Sequence, residues 1–89
     1  MQMSSLELEK AQIMFKLSRK GNWGGSYDRL EHFKRFQSLK NAVKELSNLG
    51  WIIVHTKPKF TGLSLDTKHK EEIIEFIELK MPHLKGAIK

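Results

Sequence analysis

Apolar and polar residues repeat along this chain with two different periods, and the change of period divides it into elements. In the stretch 38–49, apolar residues recur at helical spacing and share one face. Those residues are Leu39, Ala42, Val43, Leu46 and Leu49. Ser38 is a favourable N-cap, and Gly50 stands where a left-handed C-cap is common. The pattern predicts a helix at 38–49 that ends before Gly50.

The period changes directly after this helix. Residues 51–56 are mostly β-branched or aromatic, which favours a strand. Residues 63–66 alternate between apolar and polar side chains, as a second and shorter strand would. The segment 57–62 between them contains a proline and a glycine, which favour a turn. Residues 51–66 therefore predict a β-hairpin.

The N-terminal part predicts an amphipathic helix at 5–17. Ser4 and Glu7 fit the capping-box pattern at its start. A stripe that would face the core follows, formed by Leu6, Ile13, Met14 and Leu17. Leu8 and Phe15 lie outside that stripe. They are either ordinary exposed apolar residues or one half of a dimer contact.

A loop at 18–26 and a second helix at 27–36 are predicted next. Three glycines within five residues make a helix unfavourable in the loop. Their spacing matches neither the P-loop nor the dinucleotide-binding motif, so the loop is interpreted as a connector. The second helix would bury Leu30 and Phe33, with Tyr27 as a further candidate. Because only a short turn separates it from 38–49, the two helices must pack at an angle, as in a helix-turn-helix.

The C-terminal part predicts a last helix at 67–81 and a tail at 82–89. Asp66 or Thr67 would cap the helix, early glutamates suit its dipole, and Pro82 would end it. Its apolar residues cover more than one face, which a small three-helix core does not easily hide. We therefore expect a homodimer through the first and last helices. The alternative is that this surface wraps the monomer's own core.

The distribution of charge along the chain indicates that this small domain binds a polyanion. The 89 residues carry a formal net charge of +6. From Lys16 to Lys70, twelve Lys and Arg stand against four Asp and Glu, a net of +8, whereas the two ends together carry −2. The basic charge therefore lies over the predicted helix-turn-helix and hairpin, as in nucleic-acid-binding proteins. A generic basic surface is the alternative.

Several other classes of function find no support in the sequence. Without cysteine, the chain forms neither a disulfide nor a thiolate metal site. Its four histidines fall on separate predicted elements, and neither a nucleophile motif nor a catalytic carboxylate pair is recognisable. We expect no enzyme activity, no metal and no cofactor. No apolar run approaches the length of a membrane span and no signal-peptide pattern is recognisable, so we expect a cytoplasmic, nucleoid-associated protein without a membrane partner.

A capped helix that runs through Leu-Gly into a hairpin with a basic tip resembles the winged helix-turn-helix family. The resemblance depends on the join Leu46-x-x-Leu49-Gly50-Trp51-Ile52 and on the strand-to-helix join Leu-Ser-Leu-Asp-Thr-Lys at 63–68. It implies an α+β fold in a single domain over 1–89. That fold would have a three-helix core, a two-stranded β-hairpin wing and a C-terminal helix. It also implies a transcriptional regulator that binds double-stranded DNA.

The resemblance makes 38–49 the recognition helix that enters the major groove. Lysine can donate to guanine or phosphate, and asparagine or glutamine can pair with adenine. Such residues on its outward face and N-terminal edge are Gln37, Ser38, Lys40, Asn41, Lys44 and Asn48. The resemblance further implies backbone or minor-groove contacts from the wing at 57–62, and phosphate contacts near the second helix. Those residues are Lys57 and Lys59, and Ser26, Tyr27 and Arg29. The alternatives are a winged-helix protein-interaction module within a larger assembly and an RNA-binding winged helix.

Overall fold

Three α-helices and three β-strands make up the computed structural model, which describes residues 5–88. In chain order they are α1 (Leu6–Arg19), β1 (Asp28–Arg29), α2 (Leu39–Asn48), β2 (Ile52–Thr56), β3 (Thr61–Leu65) and α3 (Lys70–Lys80). Short 3₁₀ helices lie at Leu30–Phe33, Thr67–His69 and Pro82–Leu84. The predicted α+β class is confirmed. No helix within residues 5–88 is long and apolar enough to cross a membrane.

The strands form one antiparallel sheet in the order β1-β3-β2. β2 and β3 make the predicted hairpin, with Ile52 opposite Leu65 at its base. β1 adds a third strand on the other side of β3, with Asp28 opposite Leu63. The sequence predicted only two strands. A strand of two residues is too short to show an alternating pattern, so only its pairing with β3 reveals it.

The predicted second helix at 27–36 is wrong. Part of it forms β1, and Leu30–Phe33 forms a short 3₁₀ helix. The Asp28 carboxylate accepts a hydrogen bond from the Arg29 backbone N–H (2.9 Å), a local bond that competes with helix formation. The two apolar residues of the 3₁₀ helix still face the core, because residues three apart share a face there too. Tyr27, expected to be a further inward residue of a helix, instead precedes β1 and lies on the sheet.

The other predicted helices are present, but the starts of the first and last are shifted, and α1 continues to Arg19 into the predicted loop at 18–26. α1 begins after Ser5, whose hydroxyl accepts a hydrogen bond from the backbone N–H three residues later (3.0 Å). The predicted cap, Ser4, lies outside the described residues. α3 begins at Lys70, because Asp66 first caps a 3₁₀ turn. It ends before Pro82, as predicted.

One hydrophobic core lies between the three helices and the inner face of the sheet. Its fully buried residues include Ile13, Met14, Leu17, Phe33, Leu46, Leu63, Leu65, Ile73 and Ile77. Leu8 and Phe15, which the sequence left as exposed or dimer-forming, pack against this core. α1 and α3 also pack against each other, so much of their apolar surface is covered within one chain. The homodimer stays a prediction, although Leu79 on α3 is 70 % exposed.

Candidate nucleic-acid interface

The outer face of α2 presents basic and polar side chains to solvent. On its inner face, Ala42 and Leu46 are fully buried. The exposed positions of the helix include Lys40, Asn41, Lys44 and Asn48. Before the helix, Gln37 is exposed and Ser38 is half-buried. The amphipathic helix is therefore confirmed, and the polar face expected from its period is accessible.

The start of α2 is held by a carboxylate from α1. The Ser38 backbone N–H donates to Glu9 Oε1 at 2.8 Å, and Glu9 is only 2 % exposed. The Ser38 hydroxyl makes no cap hydrogen bond, so its predicted role as a side-chain cap is wrong. A carboxylate also suits the positive end of the helix dipole. The sequence gives no signal for this contact, because its two residues lie far apart in the chain.

The one acidic side chain of α2, Glu45, is paired with a lysine of α1. Lys10 Nζ contacts both Glu45 and Glu7, the latter at 2.7 Å, and the lysine is almost completely buried. Burial alone would lower the pKa of Lys10, but hydrogen bonds to Glu45 and Glu7 raise it above its ordinary value. Lys10 therefore stays charged. Because Glu45 and Glu7 share this one positive charge, Lys10 partly offsets the negative charge of α2, and the exposed Lys40 and Lys44 leave the outer face basic.

The hairpin ends in a tight turn formed by Pro58 and Lys59. The Lys57 backbone N–H donates to the Phe60 carbonyl (2.9 Å) and closes this turn. Lys57 and Lys59 are both exposed, one on each side of the proline. A surface groove of about 310 Å³ lies between this tip, the 3₁₀ helix Leu30–Phe33 and the start of α2. Lys34 is part of its lining. The basic tip and the start of α2 therefore border one groove.

A cluster of aromatic and basic side chains covers the outer face of the sheet. The Tyr27 ring stacks on His55, with centroids 4.7 Å apart, and its centroid lies 5.9 Å from that of Phe60. The Arg29 guanidinium lies 4.4 Å from the Phe60 ring centroid, and the Lys57 ammonium lies 5.6 Å from the Tyr27 ring centroid. We call these five residues the outer sheet cluster. The sequence missed it because it placed Tyr27 in a helix.

Gly62 allows the Tyr27 ring to lie on β3. A Cβ at position 62 would stand 2.5 Å from Tyr27 Cδ1, which is closer than real contacts allow. His55 lies opposite Gly62, and its Nε2 is 2.9 Å from Ser64 Oγ. The Ser64 hydroxyl donates to the Gly24 carbonyl (2.8 Å), so His55 Nε2 is the donor in its bond to Ser64. The cluster therefore rests on a fixed backbone and a fixed histidine ring.

The buried side chain of Asp28 lies on the face of β1 opposite the outer sheet cluster, and it holds β1 in place. Its carboxylate accepts hydrogen bonds from Lys20 Nζ (3.0 Å), His32 Nδ1 (2.6 Å) and the Arg29 backbone N–H. Burial alone would raise the pKa of Asp28, but these bonds hold it below its ordinary value. Asp28 is therefore an ionised anchor between the glycine-containing loop, β1 and the 3₁₀ helix.

The structure separates the predicted DNA contacts into two groups, one on α2 and one on the hairpin and β1. Nine of the eleven predicted residues are exposed, so they are accessible to a ligand. They are Ser26, Arg29, Gln37, Lys40, Asn41, Lys44, Asn48, Lys57 and Lys59. Tyr27 and Ser38 are half-buried, because the tyrosine ring packs on the sheet and Ser38 adjoins α1. His55 and Phe60 join the second group and were not predicted.

Neither a metal site among the described residues nor a known relative indicates the function of this chain. Within residues 5–88, no three His, Asp or Glu side chains are grouped so as to hold a metal ion. Comparison with protein-family models, curated proteins and solved structures finds no match to this chain. A functional assignment therefore depends on the geometry and charge of the two surfaces.

Proposed function

We propose that this chain is a winged helix-turn-helix domain that binds double-stranded DNA and acts as a transcriptional regulator. The element order is compatible with that fold, because the hairpin follows α2 directly and β1 completes the sheet beside β3. In this proposal the 3₁₀ helix Leu30–Phe33 takes the place of the second helix. α2 is the recognition helix, and β2 with β3 forms the wing.

The observation that carries the proposal is the basic, polar outer face of α2. Lys40, Asn41 and Lys44 are exposed there, and Glu45 is paired with Lys10. The major groove of duplex DNA admits an α-helix. Lysine ammonium groups would donate to guanine or to phosphates, and Asn41 would pair with the adenine edge.

The hairpin tip would hold the DNA backbone beside the recognition helix. Lys57 and Lys59 are exposed at this tip, and Ser26 and Arg29 are exposed near β1. These groups would contact phosphates or the minor groove, which fixes the orientation of the domain without reading sequence. Regulation would follow from occlusion of a promoter or recruitment to it. A homodimer, with Leu79 of α3 in its interface, would read a pseudo-palindromic site.

Two single substitutions test this division of labour. A preferred duplex is first selected from a random pool, and the affinity for it and for altered duplexes is measured by fluorescence anisotropy. Asn41→Ala should lose about 1–3 kcal/mol of discrimination against the altered base pair, because the direct base contact is gone. Lys57→Ala should weaken all duplexes alike and reduce the salt slope by about 1.

Lys85→Ala is the matched control for the loss of one positive charge. Lys85 is exposed on the turn after α3, outside both proposed contact elements, so its removal should leave discrimination unchanged. Selection of no preferred duplex, or equal behaviour of Asn41→Ala and Lys85→Ala, would contradict sequence-specific readout by α2. Loss of a protein partner in the same variants, with DNA affinity intact, would instead favour the interaction module.

A further inference from the structure

We propose that the outer sheet cluster binds single-stranded nucleic acid, separately from the duplex-binding face of α2. The proposal concerns a different ligand and a site away from α2, although the cluster shares Arg29 and Lys57 with the proposed backbone contacts to duplex DNA. It rests on how the three strands arrange aromatic and basic side chains, and it does not depend on the recognition helix.

The register of the sheet places the cluster on the face away from the core. Leu63 and Leu65 of β3 pack in the hydrophobic core, so the alternating positions of that strand face the other side of the sheet, where Tyr27 and His55 cover them. Gly62 is one of them, and it lies opposite His55 of β2 and opposite Arg29 of β1. One outward row therefore crosses all three strands. Tyr27, Lys57 and Phe60 lie two residues from the members of this row, on the same face.

The cluster offers the surfaces on which unpaired bases stack. Bases stack on aromatic rings and on arginine guanidinium planes, and such stacking tolerates any base. The Arg29 guanidinium lies on the Phe60 ring and is itself exposed, so its outer side is available. The exposed Lys57 ammonium lies above Tyr27, where it can pair with a phosphate between stacked bases.

Charge complementarity decides in favour of a polyanion. The outer sheet cluster contains two cations, Arg29 and Lys57, and no acid, and the other outward strand residues are Ile53, Gly62 and Ser64. One exposed acid, Glu31, borders the Phe60 end of this face, in the groove that Lys34 and Lys59 also line. An apolar peptide would leave both cations without partners, and a duplex hides its base faces in the stack. A single strand satisfies the rings and the cations together.

The width of the sheet limits the site to a few nucleotides. Three neighbouring strands about 4.8 Å apart span roughly 10 Å, which suits two or three stacked bases. Suitable probes are therefore end-labelled oligodeoxyuridylate and oligouridylate of about ten nucleotides. The pair of probes also distinguishes DNA from RNA as the source of the strand, because the 2′-hydroxyl is present in one of them only.

The test compares Phe60→Leu and Phe60→Tyr with the wild type by anisotropy, after thermal melting has shown that each variant is folded. Phe60→Leu should weaken binding of the preferred oligonucleotide about tenfold, because the ring that supports the Arg29 guanidinium as a stacking surface is lost. Phe60→Tyr keeps the ring and should keep the affinity. Chemical shifts of the Tyr27 ring protons should also move on titration, and Tyr27 is the one tyrosine in the chain, so its signals are unambiguous.

Arg29→Ala tests the cluster directly, and Arg35→Ala is its matched control. Both arginines are exposed and both guanidinium groups lie over a phenylalanine ring, at 4.4 Å for Arg29 and 4.8 Å for Arg35, but only Arg29 belongs to the outer sheet cluster. Arg29→Ala should weaken single-strand binding, and Arg35→Ala should not. Equal effects of the two substitutions would overturn the proposal, as would the absence of single-strand binding in the wild type.

A variant of α2 separates this inference from the proposed function. The double substitution Lys40→Ala and Lys44→Ala should reduce duplex affinity and leave single-strand affinity unchanged. If the wild-type protein binds single strands but not duplex DNA, the proposed function is refuted and binding by the outer sheet cluster is supported. Loss of single-strand binding in this α2 variant would place the strand on α2 and contradict the inference.

Discussion

Gly62 is a residue whose missing side chain determines what the surface presents. A Cβ there would stand 2.5 Å from Tyr27 Cδ1, so the ring can rest on β3 only above a glycine. The sequence placed Gly62 in the turn, because glycine is common in turns and its partner was assigned to a helix. Exposure of the α2 lysines could be predicted, because helical period alone fixes it. The position of Tyr27 could not, because it depends on a contact between distant segments.

Gly62→Ala should therefore destabilise the fold by about 1–3 kcal/mol, because the tyrosine ring must move. Thermal or chemical denaturation measures the change. Gly25→Ala is the matched control, since a Cβ at Gly25 meets no atom within 4 Å, and its effect should be near zero. Combined with Tyr27→Ala, the cost of Gly62→Ala should shrink. An unchanged cost in that double variant would show that the ring is not the obstacle.

The buried Asp28 carboxylate should make stability depend on pH in the acid range. Its folded-state pKa lies below the ordinary value of 3.8, so the unfolded chain takes up the proton first as the pH falls. The stabilisation is complete above the unfolded value and is lost as the pH falls through the folded value. Asp28→Asn should cost about 1–3 kcal/mol near neutral pH, because Lys20 and His32 lose their anionic partner.

The measurement for Asp28 is the unfolding free energy of both proteins from pH 7 down to pH 2. The difference between wild type and Asp28→Asn should stay constant to about pH 4 and then decrease. Glu71→Gln removes an exposed carboxylate of α3 and serves as the control for a lost negative charge. A difference that stays constant throughout this range would contradict an ionised, bonded Asp28.

At the scale of elements, the regular spacing of apolar residues was sufficient to predict α1, α2, the hairpin and α3. The second helix failed because apolar residues three apart fit a 3₁₀ helix as well as an α-helix. β1 was missed because two residues carry no period. The start of α2 was predicted at the right place but with the wrong cap, since the buried carboxylate of Glu9 takes that position.

Glu9 should therefore couple the stability of α2 to its contact with α1. Glu9→Ala removes the acceptor of the Ser38 N–H and should cost about 1–2 kcal/mol. Amide hydrogen exchange in the first turn of α2 should accelerate more than exchange in α3. Glu75→Ala, an exposed substitution in α3, is the control for the lost charge. If both variants lose the same stability, Glu9 has no special role as a cap.

At the scale of the whole molecule, charge and packing divide the surface into distinct regions. The central stretch with a net charge of +8 contains α2, the hairpin and β1, whereas the acidic residues of α1 and α3 give the two ends −2. The sequence predicted this distribution, because it needs only the order of charged residues. The packing of α1 against α3 required the structure, and it covers apolar surface that the sequence assigned to a dimer.

The central claim is that the basic surface of α2 and the hairpin binds duplex DNA. A salt series of fluorescence anisotropy with a random-sequence duplex tests it most directly. We expect the logarithm of the affinity to fall linearly with the logarithm of salt concentration, by about 0.9 per phosphate contacted, with several phosphates involved. Lys40→Ala with Lys44→Ala should make the slope shallower. Absence of binding at low salt, or binding that salt does not weaken, would contradict the account.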